Sequence, residues 1–243
     1  MKPTLGLLSL LVFAFTFASY STAQAPTAPA YCHPCLFYGG DMDAENPTTG
    51  YIGNMNAVHP NQAVYIPFRV PPNQSWEVIG LFVNELANVS QNEPNTMNWS
   101  ISKGIGDGRK GQLIAGGTIR DTMTPTGRSF NGETEYTVLG YLTPATVVNL
   151  SSGVYWMTAV PNCTVEGGVC NGDNPVAGLW LTTVEDVPPP NAVGVEPWDE
   201  SFTLWPDGGE FYAPVWGSND MCEFYESCDR FSAGLLGVAS ASE

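Results

Sequence analysis

The sequence predicts an all-β fold, an antiparallel β-sandwich of jelly-roll type with roughly 9–12 strands in two sheets. Three observations carry this. Short apolar segments rich in Val, Ile, Thr and aromatic residues recur at spacings of about 8–12 residues. Turn formers separate them, and the chain has 26 Gly and 20 Pro. No segment beyond the first 25 residues keeps a helical apolar period for three turns, and parallel α/β crossovers would need such helices.

The elements follow in order. From Ala25 to Asn61, Pro26, Pro29, Pro34, Gly39-Gly40, Pro47 and Gly50 predict an irregular lead-in with at most one short strand. Ala63–Val70 alternates, with Val64, Ile66, Phe68 and Val70 on one face, and Pro71-Pro72-Asn73 is expected to end it. Trp76–Leu86 contains the unbroken apolar stretch Val78 to Val83 and reads as a strand buried on both sides. Met97–Lys103 alternates, with Trp99 and Ile101 facing inward. After the loop Gly104 to Gly108, Gln112–Ile119 reads as a strand whose Gly116-Gly117 pair marks a bulge. Thr134–Gly140, Ala145–Leu150, Val154–Val160 and Ala177–Val184 complete the row, with turns expected at Thr143-Pro144, Ser151-Ser152-Gly153 and Asn162 to Pro175.

Residues 1–25 read as a signal peptide. Lys2 precedes the apolar run Leu5–Ala18, and the small residues at Ala23 and Ala25 fit a signal-peptidase site. No later segment approaches the roughly 20 apolar residues that span a bilayer, so no integral membrane segment is expected after cleavage. Residues 26–243 are expected to form one domain. The stretch after Pro188-Pro189-Pro190 is too small for a strong core of its own, so it is expected to fold back, with Phe231–Val238 as a final strand.

Charge narrows the partners. The chain has 8 Lys and Arg against 24 Asp and Glu. Without Lys2 the balance is 7 − 24, a net −17. Phosphate binding needs clustered Lys and Arg, which are absent, so no nucleic-acid partner is expected. An acidic surface suits an exported protein and attracts cations.

The 6 cysteines all lie beyond the cleavage point, and an even number in an exported chain implies disulfides. The simplest pairing is local: Cys32–Cys35, Cys163–Cys170 and Cys222–Cys228. Short loops make each worth on the order of 2–3 kcal/mol at best. Cys32-His33-Pro34-Cys35 is read as structural, because no strand or helix start is in place to lower a thiol pKa.

Asp41, Asp43 and Glu45 place oxygen ligands at alternate positions with Asn46 adjacent, which suits calcium in an irregular loop. The competing reading is a solvated acidic turn. No other cofactor is expected. Catalytic motifs are absent: the chain has 2 His, with no His-Glu-x-x-His pair and no Gly-x-Ser-x-Gly elbow. A two-carboxylate glycoside hydrolase needs only a pair of acids. Glu77, Glu85, Glu135 and Glu185 lie on or beside expected strands, and Glu135 with Glu185 is the first pair to mutate.

Aromatic residues argue for binding. Trp180, Trp198, Trp205, Tyr212 and Trp216 lie in a Pro-, Gly- and acid-rich region unlike a smooth core pattern, and sugars stack on flat aromatic faces beside Asn, Asp and Gln. Trp205, Tyr212 and Trp216 are the candidate ligand platform. The functional expectation is a secreted, non-enzymatic binding or surface-associated protein that takes a polysaccharide. The alternatives are a structural module binding extracellular protein, and the glycoside hydrolase. Asn-x-Ser/Thr sequences at Asn73, Asn88, Asn98, Asn149 and Asn162 matter only in a glycosylating host.

Trp99-Ser100-Ile101, Gly111-Gln112-Leu113-Ile114-Ala115-Gly116-Gly117 and Ser152-Gly153-Val154-Tyr155-Trp156 resemble the skeleton of a family of poorly characterised bacterial secreted β-sandwich proteins, many of which bear a C-terminal sorting tail. The closing Phe231 to Gly237 resembles their final strand, and the likeness spans Ala63 to Gly237 in outline. The chain stops at Glu243 without the sorting tail. The resemblance implies no catalytic residues.

Overall fold

Strands form where apolar alternation predicts them, and in two places they run on through an expected break. The computed structural model describes residues 29–41, 63–87, 96–106, 109–130, 132–162, 164–165, 168–169, 179–181, 183–184, 192–194, 201–204, 211–212 and 230–242. The strands are β1 (Cys35–Tyr38), β2 (Ala63–Ala87), β3 (Thr96–Lys103), β4 (Gln112–Phe130), β5 (Glu133–Tyr141), β6 (Val148–Asn162), β7 (Thr164–Val165), β8 (Gly168–Val169), β9 (Leu179–Leu181), β10 (Thr183–Val184), β11 (Phe202–Leu204), β12 (Phe211–Tyr212), β13 (Arg230–Phe231) and β14 (Ala233–Ala241). All their pairings are antiparallel.

Ten strands belong to one sheet, in the order β1-β14-β2-β5-β4-β3-β6, with β9, β11 and β12 attached to its side. Along the edge of β2 not occupied by β14, β6 pairs with Ile66–Val78 and β5 with Gly80–Ala87. The first half of β4 pairs with β3 and the second half with β5, while β3 pairs with β6. The ladder β2-β6-β3-β4-β5 therefore returns to β2. The result is an all-antiparallel β fold, sandwich-like, whose two layers share β2 and β4 at their corners.

The two expected breaks are corrected. Pro71-Pro72-Asn73 lies inside β2, where the register against β6 shifts between Val70 and Ser75 and Asn73 takes a left-handed φ of 62°. A bulge leaves residues outside the ladder, so proline's missing N–H costs no sheet bond there. Gly153, expected in a turn, lies within β6 opposite Val70 and faces the same bend.

The main core joins Val64, Ile66, Phe68 and Val70 of β2 to Trp99 and Ile101 of β3, Val138 of β5, Met157 of β6 and Leu235 of β14. Phe68 stacks on Trp76 at 6.0 Å and on Tyr155 at 5.7 Å. Each such buried side chain contributes about 1.5–3 kcal/mol of transfer free energy. The apolar stretch in β2 is buried on both faces, as its composition predicts. Leu81 and Val83 join the main core, whereas Phe82 joins a second cluster with Cys32, Tyr38 and Leu236. That cluster is formed where residues 29–41 cover the outer face of β2, β5 and β14.

Candidate functional site

Asn84 follows the Phe82 side of β2, so it points into the outer layer, and it is fully buried. A buried amide must find partners. Its Oδ1 accepts from Thr137, directly opposite on β5, at 2.7 Å. Its Nδ2 donates to Ser232 at 2.7 Å and to the hydroxyls of Tyr38 and Tyr31 at 3.3 Å each. Ser232 in turn donates to the Gly40 carbonyl at 2.6 Å. One side chain thus ties β5, the start of β14 and the N-terminal segment together.

Two residues along from Thr137, Glu135 of β5 is also fully buried. Its Oε2 accepts from Arg128 Nε and from Thr126 at 2.7 Å. Arg128 reaches onward to Asp41 Oδ1 at 2.8 Å. Asp41 also accepts from Tyr38 and, at 3.4 Å, from Tyr31. Burial alone would lower the Arg128 pKa, but Glu135, Tyr31 and Asp41 outweigh it and raise it. Burial, then the neighbouring Tyr31 and Asp41, pushes the Tyr38 phenol far above its ordinary value, so it stays a neutral donor. Glu135 Oε1 and Arg128 Nη2 are buried without a hydrogen-bond partner.

A separate acid lies on the inner face. Asp121 stands opposite Gly140, between the core residue Ile119 and Met123, which packs against that core. Both its carboxylate oxygens are buried without a partner. Burial raises its pKa from 3.8 to about 6.

The sequence-predicted site residues are distributed unevenly. Asp41 is engaged by Arg128 and the two tyrosines. Asp43, Glu45, Trp205 and Trp216 lie outside the described residues, as do Cys163, Cys170, Cys222, Cys228, Trp198 and Glu185. Tyr212 is in β12, paired with Thr203 of β11, and Trp180 is in β9 opposite Leu86. Cys32 and Cys35 form a disulfide, with Cys32 buried in the second cluster. A disulfide is consistent with an extracytoplasmic setting. Glu77 is exposed, and Glu85 is fully buried.

Among the described residues no group of three His, Cys, Asp or Glu side chains could hold a metal ion. No helix among them is long and apolar enough to cross a membrane. The joint of Asn84, Arg128, Glu135, Tyr31, Tyr38 and Ser232 was missed in the sequence. Its one signal is an Asn placed directly after the apolar run Val78 to Val83 of a strand buried on both faces, a placement that requires polar partners.

The three motif segments of the family resemblance fall on adjacent strands. Trp99 of β3 lies opposite Gly117 of β4 on one side and Ala159 of β6 on the other, and Ile101 lies opposite Ala115 and Met157. Of the third segment, Trp156 lies opposite Ser102 of β3, whereas Gly153, Val154 and Tyr155 lie opposite Val70, Arg69 and Phe68 of β2. The all-β module is of a kind consistent with a structural or binding role. No protein-family model, no curated protein and no solved structure matches the chain.

Proposed function

We propose that the protein is a secreted, non-enzymatic binding or surface-associated module of jelly-roll type, related to the bacterial secreted β-sandwich family, with polysaccharide as its ligand. The observation that carries this reading is the engagement of Arg128 with both Glu135 and Asp41. These charged groups hold one another and join the N-terminal segment to the sheet, which makes their role structural and favours recognition by loops and aromatic faces. The concentration of Trp205, Tyr212 and Trp216 in a Pro-, Gly- and acid-rich stretch supports a sugar platform. Glu135, the first acid of the hydrolase alternative, is fully buried under Arg128 and Thr126, which counts against it. Calcium at Asp41, Asp43 and Glu45 would have to compete with the Arg128 guanidinium for Asp41.

A glycan array run with calcium and with chelator tests the proposal. Binding that is lost in Trp205→Ala or Trp216→Ala supports the platform, and loss on chelation supports the calcium loop. New reducing ends would favour the hydrolase. Absence of both binding and cleavage leaves the structural, protein-binding module, a reading favoured by the same buried joint.

A further inference from the structure

β14 has one partnered edge and one that is only half covered. Its inner edge pairs with β2 through Ala241, and Ser242 N–H continues the ladder to the Asn73 carbonyl. On the outer edge β1 pairs only with Gly234, Leu235 and Leu236, and Gly237 N–H donates to the Pro34 carbonyl at 3.0 Å. Residues 238–242 are exposed. Backbone groups of successive strand residues point to alternate edges. Since Gly237 points outward and Ser242 inward, the outward groups of the described residues beyond Gly237 are the N–H and C=O of Ala239 and Ala241. Among the described residues, none of these four groups has a hydrogen-bond partner.

Such an edge is a template for another strand unless charge, proline or a bulge blunts it. Val238-Ala239-Ser240-Ala241-Ser242 has no charged residue and no proline. We propose that this edge pairs with the same edge of a second copy of the chain. A two-fold axis through Ser240 sets Ala239 opposite Ala241 of the second copy and Ala241 opposite its Ala239. That register makes every open donor face an open acceptor, and each opposed pair exchanges both its bonds. Each copy supplies both donors and both acceptors at the same two residues, so two identical edges satisfy one another. The five side chains add no charge to the seam, while the exported chain carries 7 − 24, a net −17. Repulsion between whole chains remains and is screened by salt.

The test is sedimentation of the exported protein over a concentration series at about 0.05 and 0.5 M salt, chosen to span the change in Debye length. A monomer–dimer equilibrium that tightens with salt is expected. Ala239→Pro removes the outward N–H from each copy and no bond to β2, so it should weaken the dimer by about thirtyfold while the far-ultraviolet spectrum and Tm stay at wild-type values. Ser240→Pro, which removes an inward N–H, should instead lower Tm. A monomer at every concentration, a dimer indifferent to Ala239→Pro, or open-ended oligomers would each overturn the proposal.

Discussion

Arg128 Nη1 lies 2.8 Å from Asp41 Oδ1, so the tip of the β4–β5 hairpin is tied to the end of the N-terminal segment by a guanidinium whose other arm holds the buried Glu135. The two carboxylates are not equivalent. The side chain of Glu135 is 0% exposed and that of Asp41 33%.

Arg128→Ala therefore strands a charge in the outer layer and should cost about 3–5 kcal/mol, because removing one partner of a buried pair leaves the other desolvated. Asp41→Asn should cost about 1 kcal/mol or less, in the range of a part-exposed pair. Arg128→Met combined with Glu135→Leu should recover more than half of the single-variant loss. Urea unfolding of the wild type and the three variants measures all three differences.

Asp121 predicts a pH dependence. Its folded pKa of about 6 lies above the ordinary 3.8, so between these values the folded state binds the proton more tightly than the unfolded state. Stability should fall as pH rises through that window and then level off. Asp121→Asn should remove this slope and stabilise the protein at pH 7 by about 1–2 kcal/mol, after allowance for partial exposure. Thermal melts from pH 4 to pH 8 provide the check. A wild-type Tm that rises from pH 4 to pH 6 while that of Asp121→Asn stays flat would refute the assignment.

Asn84→Ala should destabilise by about 2–4 kcal/mol, since it removes the acceptor of Thr137 and the donor of Ser232 in a layer closed to water. Asn84→Asp should be worse at pH 7 than at pH 4, because a carboxylate there has no amide donor to offer and stands near Asp41 and Glu135. Denaturant midpoints at the two pH values separate the substitutions.

Gly39→Ala tests the fit of the N-terminal segment against residue 231. A Cβ at Gly39 would run into the Phe231 carbonyl oxygen, which is backbone and has little room to yield. The expected loss is about 1–3 kcal/mol, read as a lower Tm. Faster hydrogen exchange should accompany it at Tyr38, whose N–H donates to the Val193 carbonyl.

The strands with one buried face were legible because alternation records a single inside and a single outside. Val64, Ile66, Phe68 and Val70 are all buried, as are Trp99 and Ile101. The apolar run of β2 was legible as buried on both sides, and it covers both Leu81 in the main core and Phe82 in the outer cluster. The continuity of β2 through Pro71-Pro72-Asn73 was not legible. Proline as a strand terminator and proline in a bulge look alike until the partner strand's register is known. The length of β4 was also hidden, because beyond Ile119 its partner changes from β3 to β5 and the alternation loses its apolar face. The polar joint escaped for a different reason. Arg128, Glu135 and Asp41 are common surface residue types, and their meeting depends on a tertiary contact between a hairpin tip and a distant segment. Asn84 alone carried a local signal.

Cys32 Sγ lies 3.9 Å from the Leu235 carbonyl oxygen, a contact between residues 203 positions apart, and β1 completes its pairing only with β14. A chain emerging from its N-terminus onward would deliver the first strand long before its partner. Until Ala233–Ala241 emerged, Leu36, Phe37 and Tyr38 would have no sheet edge to join, and loop closure over that span comes at the slow end of strand pairing. Assembly of the outer layer is thus a last event in time, and a chain stalled before its final strand would present an unfinished edge of β2 to its surroundings.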